Sequence, residues 1–212
     1  MAIFIEELCP IMESTAASSG SVGRICVMGS FTTMSLAKGD LSFEQLRKDG
    51  KCVLMQGGGF PYSQTKLAQH VYCKHLATSV LNKTKVTVNV ACPGSAPSNT
   101  PGWMDMKRKM KWIWPLLLKM VGARPLDEGA ATILHAMGAK AMEGETGKFV
   151  DWGYKHRYHR ITKADDLDFY PSEGKGKSGR GKEAPTTSSA TLCKKLYDET
   201  KTLMDELRTK YA

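Results

Sequence analysis

Tyr62 and Lys66 stand four positions apart in Tyr62-Ser63-Gln64-Thr65-Lys66. On a helix that spacing projects both side chains from one face, one turn apart. A free phenol keeps its proton up to a pKa of about 10, so at neutral pH it is a poor acid and a poor base. An ammonium group beside it favours the phenolate and brings proton transfer within reach. A hydroxyl can then hold, by hydrogen bonding, the substrate oxygen that gains or loses the proton. Ser30 is such a hydroxyl, at the end of a segment that reads as a buried strand, Arg24-Ile25-Cys26-Val27-Met28 followed by Gly29. The same Tyr/Lys spacing recurs at Tyr197 and Lys201, on a polar C-terminal stretch with no serine-ended strand before it. There it reads as a solvated helix face. The bare pair describes equally a partly buried phenol beside a surface lysine, so the neighbouring elements must decide.

Those elements come in a fixed order. After the Ser30 strand, Leu67-Ala68-Gln69-His70-Val71 and Leu76-Ala77 continue the Tyr62 helix with apolar residues spaced for one buried face. Val86-Thr87-Val88-Asn89-Val90-Ala91-Cys92 reads as a second strand and runs into Pro93-Gly94. Glu128 to Ala136 reads as a helix and Gly147-Lys148-Phe149-Val150-Asp151-Trp152 as a third strand.

A strand ending in Ser, a helix carrying Tyr and Lys, and a strand ending in Pro-Gly, in that order, resemble the catalytic half of the short-chain dehydrogenase/reductase family. Leu8-Cys9-Pro10-Ile11-Met12 is similar to the end of the long helix before the serine strand. Leu196 to Thr200 with Leu203 is similar to the closing helix of the retinol-dehydrogenase-like branch, which also carries an insertion between Ser and Tyr. The resemblance covers most of residues 3–165 and, more weakly, 192–212. It implies an oxidoreductase that moves a hydride between NADP or NAD and a lipophilic alcohol or carbonyl. It makes Tyr62 the acid/base, Lys66 its electrostatic partner and Ser30 the ligand of the substrate oxygen. It also implies cofactor contacts from Tyr62, Lys66, Pro93 and Gly94. The family's threonine four positions past that glycine, which holds the nicotinamide amide, is replaced by Ser98, with Thr100 nearby.

The departures are as informative. No Gly-x-x-x-Gly-x-Gly turn follows a strand near the start of the sequence, and the Asn-Asn-Ala-Gly turn is missing. Such a turn supplies the amides and helix N-terminus that bind a pyrophosphate. Cys52-Val53-Leu54-Met55-Gln56 with Gly57-Gly58-Gly59 imitates it, but no acidic residue about 20 positions on closes a βαβ unit. That segment reads as a flexible substrate loop. Gly176-Lys177-Ser178 lacks the glycine of a phosphate loop, since Pro171 stands there.

Composition frames these readings. The chain has 212 residues, 42% hydrophobic and 24% charged, which fits one soluble domain with extensions. Six cysteines without a Cys-x-x-Cys pair suggest reduced thiols, hence a cytoplasmic or other reducing compartment. No stretch reaches the roughly 20 apolar residues of a membrane span. The acidic start, Met1 to Glu7, is expected to be neither a secretory signal nor a transit peptide. The net charge of +9 is concentrated in Lys107-Arg108-Lys109 with Lys111, and in Lys155 to Arg160. Nothing resembles a nucleic-acid motif, so no nucleic-acid partner is expected. The order of Lys107 to Leu118, basic then aromatic then aliphatic, suits a membrane surface or a protein groove, and equally an apolar helix over the active site.

The expected fold is α/β: the C-terminal half of a Rossmann-type doubly wound parallel sheet, with the nucleotide-binding N-terminal half absent. Residues 1–170 are expected to form this partial domain, 171–191 a flexible basic Gly/Ser/Lys-rich linker, and 192–212 a C-terminal helix. The Ser30 strand would then lack a neighbour on one side, leaving an edge that other protein chains are expected to cover. Two functions of different class follow. One is the oxidoreductase, incompetent as this chain alone; the other is a descendant without cofactor that serves as a structural or accessory subunit.

Overall fold

The computed structural model describes residues 1–30, 32–35, 41, 60–98, 101–120, 123–152, 169–170 and 189–211. The 52–59 loop, Thr100, the 155–160 basic run, and residues 171–188 with Gly176-Lys177-Ser178 lie outside them. A strand needs a helical return to pair in parallel with the next, and the elements alternate accordingly. Helix α1 (Ala2–Ser19) leads to β1 (Gly23–Met28) and the short α2 (Thr32–Ser35). Helix α3 (Phe60–His75) runs on through a π-helical turn, Leu76–Val80, into β2 (Val86–Cys92). Then come α4 (Pro101–Lys109), α5 (Trp114–Met120) and α6 (Leu126–Gly138). Strand β3 (Phe149–Trp152), the two-residue β4 (Phe169–Tyr170) and α7 (Ala190–Tyr211) complete the order.

The sheet runs β1-β2-β3-β4, with the first three strands parallel and β4 antiparallel to β3. The three strands read from the sequence are therefore the three that pair in parallel. Strand β2 is buried along its whole length, and its alternation serves two cores. Val86, Val88, Val90 and Cys92 face Ile5, Leu67, Val71, Leu76 and Leu196, which come from α1, α3, the π-helical turn and α7. Ala91 joins Ala136, Met142 and Val150 on the α6 side. Asn89 is polar yet buried because both ends of its amide are used: Nδ2 donates to Glu145 O at 2.8 Å and Oδ1 accepts from Lys148 N at 2.9 Å. It ties the central strand to the turn that launches β3.

Strand β1 differs from the buried strand its sequence suggests. Most of it is only half-buried and Met28 is exposed, because among the described residues β2 is the only strand beside it. Gly23 N donates to Lys85 O and Gly29 N to Ala91 O, both at 2.8 Å. Odd positions of β1 therefore present their backbone to β2, and Arg24, Cys26 and Met28 present theirs to the open side. Helix α1 also runs past the expected end near Met12, continuing to Ser19 and stopping at Gly20, whose φ of 71° is a left-handed cap.

A second correction concerns Tyr197 and Lys201, which do not form a solvated face. Tyr197 stacks on Tyr72 at 5.5 Å and lies against His75 at 4.7 Å, while Lys201 pairs with Glu6 of α1. Tyr72 also donates to Glu6, Oη to Oε1 at 3.3 Å. Helix α7 is thereby clamped to α1 and α3. Burial, followed by the Glu6 charge, raises both phenols above the ordinary 10.0, and the Glu6 hydrogen bond raises Lys201 above 10.5. All three hold their protons more tightly folded than unfolded, so their stabilisation is complete below about pH 10 and lost as the pH rises above it. Urea midpoints should therefore fall steeply between about pH 9.5 and about pH 11. Tyr72→Phe should flatten that fall, and an unchanged slope in the variant would contradict the clamp.

Candidate active site

Strand β1 ends at Gly29-Ser30 beside the end of β2, through the Gly29 N to Ala91 O bond. Gly29 is required by space: a Cβ there would sit 2.6 Å from Val90 Cγ1 and 3.2 Å from Phe149 Cε2. The close approach carries Ser30 over the carboxyl ends of the strands, where open α/β sheets place their ligands. Ser30 is buried, and its Oγ accepts from Thr32 N at 3.3 Å and from Thr32 Oγ1 at 3.0 Å. Its carbonyl takes Thr33 Oγ1 at 2.9 Å. Accepting twice orients the hydroxyl and leaves its own proton to donate.

Tyr62 and Lys66 lie on the first half of α3, both half-buried, with Lys66 Nζ 5.9 Å from the Tyr62 ring centroid. Lys66 Nζ donates to Met28 O at 2.8 Å and to Gln69 Oε1 at 3.2 Å. Met28 O is one of the open-side groups of β1, so the lysine binds helix α3 to the edge of the sheet. Burial lowers the Lys66 pKa below the ordinary 10.5, partly offset by Cys92. Both of its hydrogen-bond partners among the described residues are uncharged, so no carboxylate among them cancels its field. At Tyr197 the opposite holds, since Glu6 occupies Lys201, and burial followed by the Glu6 charge raises the phenol. The two Tyr/Lys pairs share a spacing and differ in electrostatics.

The Tyr62 hydroxyl makes no hydrogen bond to Ser30 among the described residues. A direct bond ties Lys66 to Met28, two residues before Ser30, and Tyr62 lies one turn away from Lys66 on the same helix. Pro93 and Gly94 follow β2, with Gly94 at φ +70°, and Ser98 lies half-buried beyond them. Arg124, which the sequence reading passed over, lies against Gly94: a Cβ there would meet its Cζ and Nε at 3.1 Å. Arg124 N donates to Ser95 O at 3.0 Å, fixing the loop after β2. No spacing rule marks this arginine; only the fold brings it to the glycine.

The resemblance would have these residues hold one end of a nicotinamide dinucleotide. Ser30, Tyr62, Lys66 and Ser98 carry donors of the kind that a nicotinamide and its ribose would need. The pyrophosphate end is not matched, because no strand among the described residues passes through a Gly-x-x-x-Gly-x-Gly turn into a helix. Comparison with protein-family models and with characterised proteins gives no match to this chain.

The site's dependence on Gly29 is directly measurable. Gly29→Ala must displace Val90 or Phe149, at a cost of about 1–3 kcal/mol. A lowered urea midpoint with an unchanged m-value is expected; an unchanged midpoint would show that the β1–β2 approach is not tight.

Proposed function

We propose that this chain is the catalytic half of a short-chain dehydrogenase/reductase-type oxidoreductase, acting on a lipophilic alcohol or carbonyl. The observation that carries the reading is the half-buried ammonium of Lys66, bonded among the described residues to uncharged groups only, one turn from Tyr62 and joined to the strand that leads into Ser30. NADP(H) or NAD(H) would supply or accept the hydride. In the reducing direction Ser30 donates a hydrogen bond to the substrate oxygen, and Tyr62 delivers the proton that the oxygen needs as it gains charge. Lys66 stabilises the phenolate left behind. In oxidation the proton returns along the same path. Pro93, Gly94 and Ser98 line the nicotinamide side.

The same reading holds that these residues do not turn over substrate by themselves. A nucleotide-binding unit would extend the sheet from the open side of β1. A groove of about 370 Å³ lies along that side, lined by Met1, Phe4, Ile5, β1 residues, Lys66 and Gln69. On α1, Phe4 (73% exposed), Leu8 and Ile11 (62%) repeat at the spacing of an unpartnered helix seam. These surfaces also favour a second reading, a family descendant kept as an accessory subunit of a larger assembly.

One experiment separates the readings: assay of the product of the longest transcript containing these residues, with NADPH and NADH, against lipophilic aldehydes and ketones. Tyr62→Phe should lower turnover about 100-fold or more, and Lys66→Ala should impair it. Tyr197→Phe should leave turnover unchanged. Equal losses at Tyr62 and Tyr197 would sink the catalytic assignment, and nicotinamide-independent behaviour throughout would leave the subunit reading in its place.

A further inference from the structure

The segment from Met104 to Lys119 stands apart from both cores. Neither α4 nor α5 packs substantially on any other described element, and the turn between them carries the most exposed large apolar side chain of the described residues. Trp112 is 95% exposed, Ile113 50% and Leu116 60%, with Met104 exposed alongside. This is the reverse of a helix that closes over a site by burying its apolar face. Five basic side chains (Lys107, Arg108, Lys109, Lys111, Lys119) share the segment with a single acid, Asp105. Asp105 bridges Arg108 and Lys109, each at 2.8 Å. Lys107, Lys111 and Lys119 are exposed around the aromatic turn.

We propose that Lys107 to Leu118 is a peripheral docking site for an anionic lipid bilayer. Trp112, Ile113 and Leu116 would enter the boundary between headgroups and acyl chains, where an amphipathic ring has both of its preferred environments. The lysines remain at headgroup depth and meet the negative surface potential. The arrangement favours lipid over an acidic protein, because the anchors sit on a turn, Trp112 and Ile113, and on the start of the short helix after it, Leu116. A fluid interface accepts such anchors without a rigid complementary pocket. The docking does not depend on the oxidoreductase reading.

The test uses the full chain with vesicles of phosphatidylcholine alone and of phosphatidylcholine with about one third phosphatidylserine. Sedimentation should bring the chain down with the anionic vesicles at least about tenfold more strongly than with the neutral ones, since each basic residue near the surface contributes about fivefold. Tryptophan emission should shift to the blue, and higher salt should release the protein. Lys107→Glu with Lys111→Glu should cut binding about tenfold or more. Trp112→Asp with Leu116→Asp should remove both the binding and the blue shift. All four side chains are exposed, so circular dichroism and the thermal midpoint should match those of the parent chain. Absence of binding to anionic vesicles overturns the proposal, as does binding that survives either double substitution. Capture by soluble polyglutamate without capture by vesicles would assign the surface to an acidic protein instead.

Discussion

Everything in this chain hangs on how β1 is paired. Its odd-numbered backbone groups are spent on β2, and its even-numbered groups face a side where no strand lies among the described residues. That strand also delivers Ser30 and sets the height of the Tyr62 helix, because Lys66 takes the open-side carbonyl of Met28. The edge of the sheet and the candidate catalytic group are therefore one structural problem. A lysine that satisfies an edge carbonyl also blunts that edge, and it holds its charge beside a phenol while doing so.

Electrostatic context separates the two Tyr/Lys pairs. Glu6 converts Tyr197 and Lys201, with Tyr72, into a clamp between three helices, in which the phenols hold their protons harder. Among the described residues Lys66 bonds only a backbone carbonyl and an amide oxygen. A motif search sees two equal hits; a carboxylate on a distant helix makes one of them structural.

Much of the fold was legible in the sequence, for identifiable reasons. Strands β1 and β2 carry runs of Val, Ile and Cys bounded by Gly, Pro or polar turns, the composition of sheet strands. Gly29-Ser30 and Pro93-Gly94 mark two of their ends. The length of α1 was not legible, because Pro10 breaks its helical signal and Gly20 ends it later. Burial of Tyr197 was hidden because its partners, Tyr72 and His75, lie far away in the chain. The apolar run of β1 does not by itself reveal its exposure; the open edge was expected only from the neighbouring strand that the resemblance left out. Arg124 carries no local signal at all.

The central claim is that β1 is an edge strand, paired on one side alone among the described residues. Amide hydrogen exchange at single-residue resolution reads it directly. Ile25 and Val27 should exchange slowly, like the amides of β2, while Arg24, Cys26 and Met28 should exchange far faster at the same strand depth. Equal protection at Cys26 and Val27 would mean that another strand already lies against this edge, and would contradict the account.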